Sequence, residues 1–158
     1  MLFNSKMMNF KKCFFLVLCQ FIFIINIFSQ ELPPISNYKI SDYKAGNQNW
    51  AISQADNNFI YVVNNDGLLE FDGARWTLYP SQNGTIFRAV NVIDDLIYTG
   101  CYMEFGYWKR NAFGSLEYTS LLDKLEEPLV EDEHFWNIIG HDKWVLFQSV
   151  NRIYLYDT

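Results

Sequence analysis

The chain has 158 residues, enough for one domain, and half of them are hydrophobic. Its 14 Phe, 10 Tyr and 5 Trp are a heavy aromatic load that favours β structure. The net charge is −6, and no Lys/Arg cluster of the kind that grips phosphates is present, so this segment is not expected to bind nucleic acid.

Residues 1–30 differ from the rest. Lys6, Lys11 and Lys12 make a basic start, Cys13 to Phe28 is apolar except for Gln20 and Asn26, and Ser29-Gln30-Glu31 forms a polar boundary before Pro33-Pro34. This is the layout of a secretory signal, with cleavage expected after Ser29 or Gln30; the alternatives are a retained membrane anchor or lipidation at Cys19. Removing residues 1–30 takes three Lys and no acid, which leaves 9 basic against 18 acidic residues, a net −9. Of the three cysteines only Cys101 then remains, and a lone Cys in an apolar segment reads as a buried structural thiol.

From residue 46 onward the chain repeats. Aromatic anchors stand at Trp50, Phe87 and Trp136. Eleven residues after each come Tyr61, Tyr98 and Phe147, and twenty or twenty-one after each come Phe71, Tyr107 and Tyr156. Polar turns lie between the first two landmarks: Asp56-Asn57-Asn58, Asp94-Asp95 and His141-Asp142-Lys143. The intervening runs, such as Phe59–Val63, Leu96–Thr99 and Trp144–Phe147, are short and rich in apolar, β-branched and aromatic residues, as strands are. Asn65-Asp66-Gly67 and Asp72-Gly73 supply further hairpin turns. Unit one thus reads as four strands near Trp50–Ser53, Phe59–Val63, Leu68–Phe71 and Arg75–Tyr79. Four antiparallel strands per repeat is the pattern of a β-propeller blade.

The expected architecture is all-β: a partial β-propeller over residues 35–158, with blade-like units at about 46–80, 84–121 and 134–158. Leu121–Leu125 makes at most a short helical turn, and the acidic stretch 123–134, broken by Pro128, reads as a solvated loop. Tyr154–Thr158 matches Leu69–Gly73 of the first unit, so the third unit lacks its outer strand. A closed propeller needs at least four blades, so the chain reads as the opening part of a longer protein.

Several stretches carry a resemblance. Asn49-Trp50-Ala51-Ile52-Ser53-Gln54, Ile60-Tyr61-Val62, Gly67 to Gly73 and Trp76 resemble the two-component-regulator propeller repeat. So do Ile97 to Gly100 with Glu104 to Tyr107, and Phe135-Trp136 with Phe147 to Ser149 and Ile153-Tyr154. The resemblance spans about residues 35–158. It implies an exported bacterial sensor region on the periplasmic side of the inner membrane. In that family a triple-tyrosine domain, a membrane helix and an output follow the propeller; the output is a LuxR-type helix-turn-helix or a histidine kinase. None of these follows here, so no DNA-binding or kinase activity is carried over to this chain. The implied ligand is extracellular or periplasmic and of glycan-derived type in the family.

No catalytic constellation is present in the sequence, and no cofactor or metal is expected. Glu131-Asp132-Glu133-His134 with His141 fits no zinc spacing, and Asn64-Asn65-Asp66-Gly67 lacks the terminal Glu of a calcium loop. The candidate ligand contacts are Tyr102 and Glu104, on a strand connection that would face a propeller funnel, and Trp108 beyond them. Trp50, Trp108 and Trp136 read first as blade core and secondarily as sugar platforms. The leading expectation is a non-enzymatic sensing module of a signal-transduction regulator. The alternatives are a secreted propeller enzyme of lyase or glycosidase type, which needs paired carboxylates, and a surface scaffold or adhesion protein.

Overall fold

The structure is a computed structural model that describes Lys12, Phe14, Phe15, Val17, Leu18 and residues 32–158. Two compact units are present, 1–37 and 38–158. In the first, the five described residues between Lys12 and Leu18 are helical and exposed, and residues 32–37 are irregular and exposed. The signal peptide or anchor expected over 1–30 otherwise lies outside the described residues. Among the described residues no helix is long and apolar enough to cross a membrane.

The second unit opens with one helical turn, α1 (Ile40–Tyr43), followed by eleven strands. They are β1 (Asn49–Gln54), β2 (Ile60–Asn64), β3 (Gly67–Phe71), β4 (Trp76–Tyr79), β5 (Ala89–Ile93), β6 (Leu96–Cys101), β7 (Glu104–Arg110), β8 (Leu116–Ser120), β9 (Phe135–His141), β10 (Trp144–Ser149) and β11 (Ile153–Asp157). They form three antiparallel meanders, β1-β2-β3-β4, β5-β6-β7-β8 and β9-β10-β11. The unit is therefore all-β, and its third sheet has three strands, one fewer than the others. The sheets do not close on themselves.

Local chemistry sets each turn. The β1–β2 connection has five residues; the Ala55 amide donates to the Phe59 carbonyl, and the three-residue turn they enclose ends on Asn58 at φ 67°, whose N–H donates to the Ala55 carbonyl. The β5–β6 and β9–β10 turns have two residues, each opening on an Asp with positive φ, Asp94 and Asp142. Between β3 and β4, Asp72 Oδ1 accepts from the Ala74 and Arg75 amides while the Asp72 amide donates to the Arg75 carbonyl, so side chain and backbone together shape the loop. Gly67 is required at the start of β3, because a Cβ there would fall 2.2 Å from the Tyr79 carbonyl oxygen.

The sheets stack face to face with β5 packed between β1 and β9. Tyr61, Val63 and Leu68 of the first sheet meet Phe87, Val90 and Trp108 on one side of the second. Tyr98 and Phe105 on its other side meet Phe135, Ile138, Val145 and Phe147 of the third. Because the middle sheet is covered on both faces, β6 is buried almost throughout. The first sheet is buried on both faces too: Val62 and Leu69 point away from the second sheet and are covered by Tyr43 and Ala45, while the Tyr38 ring packs tilted against Phe71 at 5.0 Å. The open face of the third sheet carries exposed Ile139, Ile153 and Leu155.

Strand register refines the repeat. Ser53 pairs with Tyr61, Asn91 with Tyr98, and Ile139 with Leu146 at corresponding places in the three inner hairpins. Three residues before each of these inner-strand positions stand Trp50, Arg88 and Trp136. The equivalent residues are thus Trp50, Arg88 and Trp136, then Tyr61, Tyr98 and Leu146, then Phe71, Trp108 and Tyr156. The landmarks at Phe87, Tyr107 and Phe147 each lie one residue away from the true equivalent. The cause is the turn: the first inner hairpin has a three-residue turn and the others have two, so a constant offset of eleven crosses from one face of a strand to the other. Leu121–Leu125 contains a single 3-10 turn, Leu122–Lys124. The acidic stretch 123–134 is largely exposed, but the solvated-loop reading fails at Glu133, which is fully buried.

Candidate functional site

The three equivalent positions Trp50, Arg88 and Trp136 meet at one end of the inner strands. In β1 and β9 the register skips a residue at Trp50 and at Trp136, so each Trp sits on a β-bulge, which re-aims its side chain. Arg88 stands just before β5, with its amide donating to the Gly100 carbonyl at 2.9 Å. Its guanidinium carbon lies 3.7 Å from the Trp50 ring centre and 5.2 Å from that of Trp136. The two indoles approach edge to face at 6.3 Å. Trp50 is held in turn by its indole N–H, which donates to Asn65 Oδ1 at 2.8 Å. β1, the residue leading into β5, and β9 therefore each contribute one side chain to a single cation–π cluster, in which each contact contributes about 0.5–2 kcal/mol depending on desolvation.

Beside the cluster opens a cleft of about 290 Å³ lined by Thr85, Ile86, Arg88, Tyr102 and His134. Tyr102 and His134 form an isolated antiparallel bridge, and their rings lie 4.8 Å apart. The cleft rim is organised by Asn83, which donates to the Tyr102 carbonyl and accepts from the Thr85 amide and hydroxyl. Beneath it, the Glu133 carboxylate accepts from the Ser149 hydroxyl at 3.1 Å and from the Tyr154 hydroxyl, which satisfies the one carboxylate buried here. Met103, at φ 54° in the β6–β7 turn, donates its amide to the Glu133 carbonyl and locks that turn to residues 132–134.

Two polar groups of the cleft are buried without a partner among the described residues. Arg88 Nε and Nη1 donate to nothing, and His134 Nδ1 is likewise unbonded. Buried polar atoms in native proteins nearly always find partners, so two orphans along one cleft mark a place of unusual chemistry. The contrast with Arg110 is direct. That guanidinium, also partly buried, pairs with Glu70, donates to the Tyr61 hydroxyl at 3.2 Å and to the Gly114 carbonyl at 2.5 Å.

The three residues expected to contact ligand do not converge. Tyr102 lines the cleft, and its hydroxyl donates to Asp132 Oδ1 at 2.9 Å, which holds the phenol above its usual pKa. Glu104 accepts from the Tyr118 and Ser120 hydroxyls and shapes the middle sheet. Trp108 is buried in the core between the first two sheets, with its indole N–H donating to Thr99 Oγ1 at 3.0 Å. Trp136, read first as core, is instead 41% exposed. Arg88 was missed because it is not aromatic and broke the landmark pattern. Counting the turn lengths would have aligned it with the two tryptophans.

Cys101 is buried, and burial pushes its thiol up to about 11, so little of it is thiolate at neutral pH. Among the described residues no three His, Cys, Asp or Glu side chains gather as metal ligands. No family model, no curated protein and no solved structure matches this chain.

Proposed function

We propose that the chain is a binding module, the ligand- or partner-sensing part of an exported or membrane-anchored bacterial regulator of the two-component-regulator propeller type. The observation that carries the binding role is the cluster of Trp50, Arg88 and Trp136. Equivalent positions of three sheets, which in a repeat architecture face the same way, here bring two aromatic faces and one cation to one point beside a cleft. A ligand seated there touches the segments that lead into β5 and β9 at once, so a ligand that fits one arrangement of those segments better than another would shift the equilibrium between them, which is what a sensing element requires. The regulator assignment adds the repeat resemblance and the basic–apolar–polar order of residues 1–30.

The binding role is tested by a thermal-shift and tryptophan-fluorescence screen of the full chain against a broad library of small metabolites. A compound that raises the melting temperature in a saturable way, and does so less in Arg88→Met, supports it. A screen in which every hit acts equally on Arg88→Met overturns the assignment of the site. Turnover of a hit, seen as a new product by mass spectrometry, overturns the non-enzymatic reading.

A further inference from the structure

We infer that the cleft beside Arg88 binds a small organic carboxylate with an apolar or ring-shaped body. This rests on the binding-module reading and names the ligand class. The first support is charge. The Arg88 guanidinium is half-buried, stacked over Trp50, and meets no carboxylate among the described residues. A cation withdrawn from water without a counter-ion is costly, and cation–π contact offsets only part of that cost. A planar guanidinium fork is matched best by an oxyanion that accepts two N–H bonds side by side.

The second support is the donor opposite. His134 lines the same cleft, carries a further unpartnered buried nitrogen, Nδ1, and packs against the Tyr102 ring. In the tautomer protonated on Nδ1, that imidazole and the guanidinium are two unpartnered donor groups beside one cleft.

The third support is what surrounds these donors. Ile86 and the rings of Tyr102 and His134 line the rest of the cleft, and Trp136 flanks His134 at 6.1 Å. These surfaces suit an apolar body rather than a bare inorganic ion. Asp132, bonded to the Tyr102 hydroxyl, and its neighbours Glu131 and Glu133 add negative charge close by. Together with the chain's net charge of −6, they disfavour a multiply charged phosphate more than a monoanion.

The experiment titrates the full chain with benzoate, with its neutral isostere benzamide, and with inorganic phosphate at constant ionic strength. Binding is read by tryptophan fluorescence and by calorimetry. Benzoate is expected to bind saturably with a Kd on the order of 1 mM, given its few heavy atoms. Benzamide and phosphate are expected to bind at least tenfold more weakly. Arg88→Met is expected to weaken benzoate at least tenfold. If that variant does not fold, His134→Phe, which keeps the ring stack and removes the donor, is expected to weaken benzoate several-fold. Equal binding of benzamide, tighter binding of phosphate, or undiminished binding in the folded variants overturns the carboxylate assignment. Absence of any saturable benzoate signal also overturns it. A different compound from the broad screen that depends on Arg88 would then leave the binding-module reading standing, whereas no Arg88-dependent compound at all would remove both.

Discussion

Arg110 of β7 reaches across the sheet boundary to Glu70 of β3, and the same guanidinium donates to Tyr61 of β2. The Glu70 side chain is 7% exposed and that of Arg110 34%, so the pair is partly shielded from water. Arg110→Met strands a buried carboxylate and is expected to cost about 2–3 kcal/mol of stability. The double change Arg110→Met with Glu70→Leu is expected to recover most of that loss, because no unpaired charge remains. Urea denaturation of the single and double variants measures the coupling; simple additivity of the two losses contradicts this account.

Gly100 and Gly140 both lie where sheets approach, but they differ in what a methyl group would meet. A Cβ on Gly100 would fall 2.6 Å from Phe135 Cβ, a fully buried atom tied closely to backbone. On Gly140 it would meet only side-chain atoms of Ile93, Cδ1 and Cγ1 at 3.0 Å and Cγ2 at 3.3 Å. Gly100→Ala is therefore expected to destabilise by about 2–3 kcal/mol, as overpacking does, and Gly140→Ala by less than about 1 kcal/mol. Melting curves of the two variants decide it, and the reverse order would show that the β6–β9 contact is looser than described.

Asn91 joins all three sheets. Its Nδ2 donates to the Ile138 carbonyl at 3.1 Å, its Oδ1 accepts from the Ser53 hydroxyl, and that hydroxyl oxygen accepts the Val92 amide. Asn91→Leu removes the links to both neighbours and is expected to cost about 1–3 kcal/mol, whereas Ser53→Ala removes one side and costs about 1 kcal/mol. Equal effects in chemical denaturation would mean the Asn91–Ile138 bond contributes nothing.

The fold should weaken in alkali in two stages. Burial raises the Cys101 thiol from 9.0 to about 11, and raises Tyr61 and Tyr98 from 10.0 to about 12. In each case the folded state holds its proton more tightly than the unfolded chain. The stability this contributes is complete below the unfolded value and is lost as pH rises through the folded one. Denaturation midpoints are therefore expected to fall from about pH 9, and more steeply between pH 10 and 12, with Cys101→Ala removing the earlier part. A midpoint flat from pH 9 to 12 would contradict the burial of these groups.

The same burial makes a chemical prediction. Cys101 should react with iodoacetamide in the folded protein at pH 8 at least tenfold more slowly than in urea, since little thiolate forms and access is closed. Comparable rates in the two conditions would place the thiol at the surface.

Much of this molecule was readable from local pattern. Strands and turns follow from alternating or continuous apolar runs punctuated by Asp, Asn and Gly, and these act over a few residues. The four strands of the first unit were placed to within a residue or two, and the third sheet has the three strands its landmarks allowed. Cys101 is buried, as its apolar neighbours suggested. What pattern could not supply was register. A strand presents alternate residues to opposite faces, so one residue of difference in hairpin length moved three landmarks to the wrong side. That same slip hid Arg88 behind Phe87.

The sequence by itself determined an all-β unit of repeated meanders, because hydrophobic period and turn chemistry are local properties. Only the tertiary structure decided which face of each strand meets which sheet. It left Trp136, which reads first as core, exposed, buried Glu133 in a stretch that reads as solvent-exposed, and brought Trp50, Arg88 and Trp136 together from distant parts of the chain. Those outcomes depend on stacking and register between segments far apart in the chain, and no property of the separate segments encodes them.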